Sequence, residues 1–214
     1  MGIAQNIQRL KNSLPPEVKL VAVIKNIPLE QVCEAVEAGV ISLGENRVQE
    51  AAGRYQFLRQ KYPTIELQMI GHLQRNKVRQ ALDIFDIIQS VDSERLALEI
   101  GRRAPRPVPI LIEVNTSGEK SKSGVEIVQA IELVRTVAQI DNLKIQGLMT
   151  IGPLSGEARA SFRALRELRD ELIRLKLPGV EMRWLSMGMT EDWPTAVEEG
   201  ANLIRIGRGI FQGG

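Results

Sequence analysis

The stretch Lys19–Lys25, with the sequence KLVAVIK, decides the fold that the sequence predicts. Residues 20–24 form an unbroken apolar run, which is typical of a strand buried on both faces in a parallel sheet. Because side chains alternate along a strand, Val23 and Lys25 are expected on one face and Ile24 on the other. The strand therefore ends in a lysine that leaves the core where the strand stops.

Two interpretations of Lys25 follow from this position. The first is a strand-end lysine whose stem packs against apolar neighbours while its ammonium group reaches water. The second is a desolvated amine that forms a Schiff base with a carbonyl compound. This segment alone leaves both open, and the residues that the rest of the chain places near Lys25 decide between them.

Strand-like and helical segments alternate outward from this stretch. Strand-like runs lie at 19–25, 40–44, 65–70, 84–91, 108–114, 143–149, 182–187 and 202–207. Amphipathic segments lie at 3–13, 29–38, 48–61, 75–83, 93–103, 125–138, 157–175 and 191–199. This alternation predicts an α/β fold, a (β/α)8 TIM barrel with an extra N-terminal helix, although the chain is shorter than the ~250 residues typical of such barrels. A doubly wound open sheet is the alternative.

The composition is that of a globular protein with one core. Of the 214 residues, 43% are apolar and 25% charged, and no linker interrupts the alternation, so residues 1–214 are predicted to form a single domain. The net charge of only +2 argues against nucleic acid as a partner. No signal sequence or long apolar segment suggests a membrane, so we expect a cytoplasmic protein. We also expect a monomer. One cysteine and one histidine argue against a disulfide and against a Cys/His metal site.

Glycines and hydroxyls follow the last two strand-like runs, in SMGMTED at 186–192 and RIGRG at 205–209. Glycine lets backbone N–H groups approach an anion, and Ser186 and Thr190 add hydroxyl donors. Thr190 also has the character of an N-cap for the helix that follows. Because barrels commonly bind phosphate in the loops after strands seven and eight, we expect a phosphate site here. Ordinary loop glycines with a helix cap are the alternative explanation.

Arg205 lies in an otherwise apolar strand, between Ile204 and Ile206. A buried guanidinium needs an acceptor, which is either a carboxylate such as Glu113 or a ligand atom. A lysine for an aldehyde, small donors for a phosphate and an arginine for a ring nitrogen together indicate pyridoxal 5′-phosphate (PLP) as the cofactor.

Seven blocks of the sequence resemble, in the same order, the pyridoxal 5′-phosphate homeostasis protein family. They are VAVIK (21–25), GENRVQE (44–50), IGHLQRNK (70–77), VNTSGEKSKSG (114–124), GLMTI (147–151), LSMGMTED (185–192) and RIGRGIF (205–211). The resemblance implies the barrel fold of the alanine racemase N-terminal domain, which is PLP fold type III. Gln68, where the family often has histidine, and Gln212, within a usual Phe-Gly pair, depart from the family pattern.

The resemblance also implies a role for individual residues, with none of them catalytic and none a metal ligand. Lys25 would form the Schiff base with PLP, Asn46 would lie beside the cofactor, and Arg205 would face the pyridine nitrogen. The phosphate would be surrounded by Ser186, Thr190, Gly207 and Arg208.

The family further implies a non-enzymatic PLP-binding protein that contributes to vitamin B6 and amino-acid homeostasis and passes PLP to apo-enzymes. A racemase-like PLP enzyme is the alternative. Racemisation needs a second acid–base group opposite the lysine, but Tyr55 and Tyr62 fall away from the strand ends, which leaves only His72. An arginine at the ring nitrogen also disfavours its protonation and weakens the ring as an electron sink. Both arguments favour the non-enzymatic function.

Overall fold

The apolar runs of the sequence form parallel strands in a computed structural model that describes residues 2–119, 122–153 and 158–212. The strands are β1 (Lys19–Val23), β2 (Ser42–Glu45), β3 (Glu66–Met69), β4 (Ile87–Val91), β5 (Val108–Asn115), β6 (Val125–Glu126), β7 (Leu143–Met149), β8 (Val180–Ser186) and β9 (Leu203–Ile206). Every strand pairing is parallel, and pairing of β4 with β5 and of β1 with β9 closes the sheet into a barrel of eight strands. The two-residue β6 pairs only with β5, outside the barrel wall. The predicted (β/α)8 barrel is therefore confirmed, and the open sheet is wrong.

Helices connect the strands. They are α1 (Ile3–Ser13), α2 (Leu29–Glu37), α3 (Val48–Ala52), α4 (Tyr55–Lys61), α5 (Val78–Ile84), α6 (Glu94–Arg103), α7 (Ile127–Val137), α8 (Ala158–Leu175), α9 (Trp193–Glu198) and α10 (Arg208–Phe211), with a 3-10 turn at Arg75–Lys77. The extra N-terminal helix is confirmed as α1, and the short α10 was not predicted. The predicted start of the 157–175 helix, Glu157, lies outside the described residues. None of the helices in the described ranges combines the length and apolarity needed to cross a membrane.

The alternation of side chains along β1 separates two apolar layers. Ile24 is fully buried in the cluster that also contains Val32 of α2, so it packs between the barrel and the helices. Val21 instead faces the barrel interior, where the glycine at position 44 makes room for it: a Cβ on Gly44 would lie 3.0 Å from Val21 Cγ1. The faces predicted from the period-two pattern are thus confirmed.

The first strand is shorter than its apolar run. It ends at Val23, and Lys25 lies in the turn that follows. The turn is held by hydrogen bonds from Ile24 N to Gly44 O (3.0 Å) and from Ile27 N to Ile24 O (3.1 Å). The prediction that the strand continues to residue 25 was wrong because the parallel pairing to β2 ends at Val23, one residue before the apolar run ends at Ile24.

The predicted helix at 48–61 is broken into two. Gly53 terminates α3, and Arg54 has a non-helical φ of −129° before α4 begins at Tyr55. The amphipathic pattern continues across the break, so helical periodicity alone did not reveal it.

Candidate functional site

Five of the seven residues predicted for the cofactor site line one cavity of 570 Å³ at the carboxyl ends of the barrel strands. They are Lys25, Thr190, Arg205, Gly207 and Arg208. The volume lies within the ~300–1,000 Å³ typical of small-molecule sites. The remaining two, Asn46 and Ser186, lie nearby but do not line this cavity.

The Lys25 side chain is exposed, and its Nζ has no hydrogen-bond partner among the residues that the structure describes. The turn after β1 therefore presents a primary amine to the cavity while water still reaches it. Of the two interpretations of Lys25, the exposed side chain agrees with an amine that reaches water and not with a desolvated one. The loop conformation after Val23 lifts the side chain out of the apolar strand, which explains its exposure.

Four backbone N–H groups in the loops after β8 and β9 have no acceptor within the described ranges. They belong to Thr190, Glu191, Gly207 and Arg208, and all four residues line the cavity. The hydroxyl of Thr190 accepts a hydrogen bond from Gly209 N at 3.2 Å, which ties the two loops together and leaves its own O–H available. Backbone N–H groups without acceptors, in residues that line one cavity, suit an anion such as a phosphate.

The prediction that Thr190 caps the following helix was wrong. The helix α9 begins at Trp193, with Asp192 in the N-cap position. Asp192 Oδ1 accepts a hydrogen bond from Met189 N at 2.6 Å, which closes the loop without using the Thr190 side chain. Thr190 is thereby left facing the cavity.

Arg208 stands at the rim of the cavity rather than inside it. Its Nη2 donates to Glu191 Oε1 at 2.8 Å, and both side chains are exposed. Solvent and salt screen such a pair, so its own contribution to stability is small. The guanidinium nevertheless remains close to the loop amides.

Arg205 is the buried cation of the site, with only 4% of its surface exposed. Its Nη1 donates to Ser186 Oγ at 2.6 Å and its Nη2 to Thr150 O at 2.8 Å, whereas Nε has no partner in the described part of the chain. Burial lowers the pKa of Arg205 to about 10, although the carboxylates of Glu113 and Asp192 oppose the change. The side chain thus stays charged at neutral pH, and its Nε–H is unused.

Ser186 supports Arg205 instead of facing the cavity. Its hydroxyl donates to Gln89 Oε1 at 2.6 Å, and Gln89 in turn donates to Gln68, which donates to Glu66. The Ser186 hydroxyl thus donates its proton to Gln89 and accepts a hydrogen bond from Arg205. It has no further proton to donate to a phosphate in the predicted contact. Gln68, a departure from the family pattern, is one link in this buried chain. The polar residue Gln89 within the apolar strand IIQSV was the sequence signal that could have revealed the chain.

A second cavity of 220 Å³ adjoins the first, and Ile151 lines both. Asn46 lines this smaller cavity, and its buried Oδ1 has no hydrogen-bond partner within the described residues. His72 also lines it, with 56% of its side chain exposed and Nδ1 3.5 Å from Asp92 Oδ2. Both residues therefore lie beside the Lys25 cavity rather than in it.

Glu113 lines the smaller cavity as well, with 3% of its surface exposed. The sequence suggested it as an ion-pair partner of Arg205, but the hydrogen bonds of Arg205 go to Ser186 and Thr150. Desolvation raises the pKa of Glu113 to about 7; the carboxylate of Asp92 adds to the rise, and Arg205 opposes it.

Comparison with known proteins decides the family. The model of the alanine racemase N-terminal domain matches residues 2–213. A pyridoxal phosphate homeostasis protein of Vibrio cholerae is 39% identical over 202 residues, which cover 91% of this chain and 84% of the relative. The chain belongs to the pyridoxal phosphate homeostasis protein family. The resemblance seen in the sequence blocks is therefore confirmed.

Solved structures agree with membership of this family. PipY of Synechococcus elongatus is 37% identical, with 98% of this chain and 99% of PipY covered. Its structure has been solved without PLP and with PLP bound, with TM-scores of 0.92 and 0.91 respectively. An alanine racemase of Clostridium difficile shares the fold alone, with a TM-score of 0.82 at 16% identity. The structural match spans 98% of this chain but only 56% of the racemase chain.

Proposed function

We propose that this protein binds PLP in the Lys25 cavity and holds it as a reservoir without turning over amino acids. The observation that carries the proposal is that the residues lining one cavity include a lysine amine, an arginine Nε–H and four backbone N–H groups that have no partner among the described residues. These groups match the aldehyde, the pyridine nitrogen and the phosphate of PLP. The relationship to PipY, which has been solved with PLP bound, supports the same ligand.

Each group of PLP has a counterpart in this arrangement. When bound, PLP supplies an aldehyde that the amine of Lys25 captures as a Schiff base. The loop amides and the hydroxyl of Thr190 hold the phosphate, with Gly207 and Arg208 beside them. Arg205 offers Nε–H to the pyridine nitrogen, while its two other nitrogens stay bonded to the barrel. Asn46 borders the cofactor from the smaller cavity.

The charge on Arg205 favours a carrier over an enzyme. A guanidinium beside the pyridine nitrogen disfavours a second positive charge there, so the ring is less able to stabilise a carbanion. Ser186 and Thr150 fix the guanidinium, so it cannot swing away to allow protonation. We therefore propose that residues 1–214 act as one PLP-binding domain in the cytoplasm, as a monomer that delivers PLP to apo-enzymes.

A racemase-like enzyme remains the second candidate because two titratable groups border the smaller cavity. His72 is within 3.5 Å of Asp92, and the carboxyl of Glu113 is buried close by. Either group could serve as the second acid–base residue that racemisation requires. Because both groups lie beside the Lys25 cavity, substitution of either one tests this alternative.

One experiment separates the two functions. The PLP-loaded protein is mixed with an apo-enzyme that needs PLP and, in a parallel reaction, incubated with L-amino acids in deuterated water. A reservoir activates the apo-enzyme and exchanges no α-hydrogen. Exchange over many turnovers, abolished by Lys25→Ala and reduced by His72→Ala or Glu113→Gln, would instead establish an enzyme.

A further inference from the structure

The break between α3 and α4 brings Arg54 under the turn that carries Lys25. Gly53 ends α3, and Arg54, with a non-helical φ of −129°, stands at the N-cap of α4 instead of within a continuous helix. Only 15% of its side chain is exposed. Arg54, a charged residue in the middle of an amphipathic segment, is thus largely buried, so its guanidinium needs hydrogen-bond acceptors.

Those acceptors are the two carbonyl groups that bracket Lys25. Arg54 Nη1 donates to Ile27 O at 3.0 Å and makes a longer contact to Ile24 O at 3.4 Å. Between these carbonyls lie Lys25 and Asn26, and Asn26 has a left-handed φ of 57°. Non-glycine residues adopt this conformation only when their surroundings support it.

The other arm of the guanidinium reaches the neighbouring strand. Arg54 Nη2 lies 3.2 Å from Oε1 of Glu45, which is 1% exposed and ends β2. Glu45 directly precedes Asn46, which borders the proposed cofactor site. The guanidinium fork of Arg54 therefore joins the Lys25 turn, through hydrogen bonds, to the end of β2, through an ion-pair contact.

We infer that Arg54 is a positioning residue that fixes the Lys25 turn so that the amine of Lys25 points into the cavity. The inference rests on the proposed function, in which Lys25 bonds covalently to PLP. Fixing the turn in advance reduces the conformational freedom that Lys25 loses when the bond forms. Among the described residues, the hydrogen bonds and ion pair of Arg54 go to Ile24, Ile27 and Glu45 and not to the phosphate loops after β8 and β9, so loss of the fork should weaken covalent capture and spare non-covalent binding.

Arg59 of the same helix provides a matched control. Its Nη1 donates to Ile65 O at 2.8 Å, and its Nη2 donates to Asp86 Oδ2 at 2.6 Å and to Ile84 O at 3.4 Å. This fork also joins carbonyls and a carboxylate, but it does so at the amino ends of β3 and β4. A general loss of stability on removing such an arginine is therefore expected in variants at both positions. An effect on Lys25 is expected only in the Arg54 variant.

The test compares Arg54→Lys, Arg59→Lys and the wild type. Affinity is measured for PLP and for pyridoxamine 5′-phosphate, which keeps the phosphate and ring but lacks the aldehyde. Arg54→Lys should weaken PLP binding about tenfold, the scale of a lost charge-assisted hydrogen bond, and leave pyridoxamine 5′-phosphate unchanged. Arg59→Lys should change neither affinity. In the cofactor-free proteins, hydrogen exchange in segment 22–28 should accelerate only in Arg54→Lys.

A double variant covers the possibility that Arg54→Lys does not fold. Glu45→Gln with Arg54→Gln removes both buried charges together, so no unpaired carboxylate is left in the core. It should show the same selective loss of PLP affinity. Unchanged PLP affinity together with unchanged exchange in segment 22–28 would overturn the role of Arg54 while the proposed function stands. Absence of PLP binding by the wild type would overturn the proposed function, and the exchange measurement would still decide whether Arg54 fixes the turn.

Discussion

Replacing Glu113 with glutamine should make the stability of the protein less sensitive to pH. Desolvation raises the pKa of this carboxyl to about 7 in the folded protein, from 4.5 when it is solvated. Between these two values the folded state binds more protons than the unfolded state, so the free energy of unfolding falls as the pH rises. The contribution of Glu113 is fully present below pH 4.5 and is lost as the pH rises through about 7.

The size of this effect follows from the two pKa values. At ~1.4 kcal/mol for each pH unit, the separation between 4.5 and 7 corresponds to about 3 kcal/mol. The charged form is penalised because Glu113 is 3% exposed and faces the carboxylate of Asp92, and Arg205 only partly compensates. Glutamine keeps the shape of the side chain and cannot ionise, so the penalty disappears at high pH.

The assay is denaturant-induced unfolding of the cofactor-free protein at pH 5 and pH 8. From pH 5 to pH 8, Glu113→Gln should gain up to about 3 kcal/mol of unfolding free energy relative to the wild type. Burial also raises the pKa of Glu45 to about 7, but Glu45 is present in both proteins and its contribution cancels in the difference. The exposed Glu30, changed to glutamine, controls for loss of a surface carboxylate. Parallel pH profiles for the wild type and Glu113→Gln would refute the reasoning.

Three further predictions concern the phosphate loops and their support. Pyridoxal, which lacks the phosphate, should bind at least about tenfold more weakly than PLP in equilibrium dialysis, and equal affinities would contradict a phosphate site. Thr190→Val removes the free hydroxyl and should weaken PLP binding about fivefold or more, with pyridoxal unaffected. Ser186→Ala removes the bonds to Gln89 and Arg205, so it should lower the free energy of unfolding by about 1–3 kcal/mol. A large loss of PLP affinity without loss of stability would instead support a direct contact between Ser186 and phosphate.

The barrel and the general location of the site could be predicted because local patterns determine them. The apolar run at 20–24 needs burial on both faces, and repetition of strand and helix leaves few folds that provide it. Parallel strands all end at one side of a barrel, so Lys25, Thr190, Gly207 and Arg208 were expected to meet. The structure brings these residues to one cavity.

Details that depend on contacts between distant segments could not be predicted. Ser186 bonds to Gln89, 97 residues away in the sequence, and this contact turns its hydroxyl away from the cavity. Arg54, at the break before α4, bonds to the carbonyls of Ile24 and Ile27, which lie 30 and 27 residues away in the sequence. The periodicity of the segments that contain Ser186 and Arg54 does not reveal these contacts. Periodicity shows which face of a segment is buried but not which residues that face contacts.

Borohydride reduction of the PLP-loaded protein, followed by peptide mass mapping, tests the central claim most directly. Reduction makes a Schiff base permanent, so the modified peptide identifies the lysine that holds PLP. We predict a single modification on Lys25, the lysine that lines the cavity with Arg205 and Thr190. Modification of Lys77, or of Lys120, which lies outside the described residues, with Lys25 left unmodified would contradict the account.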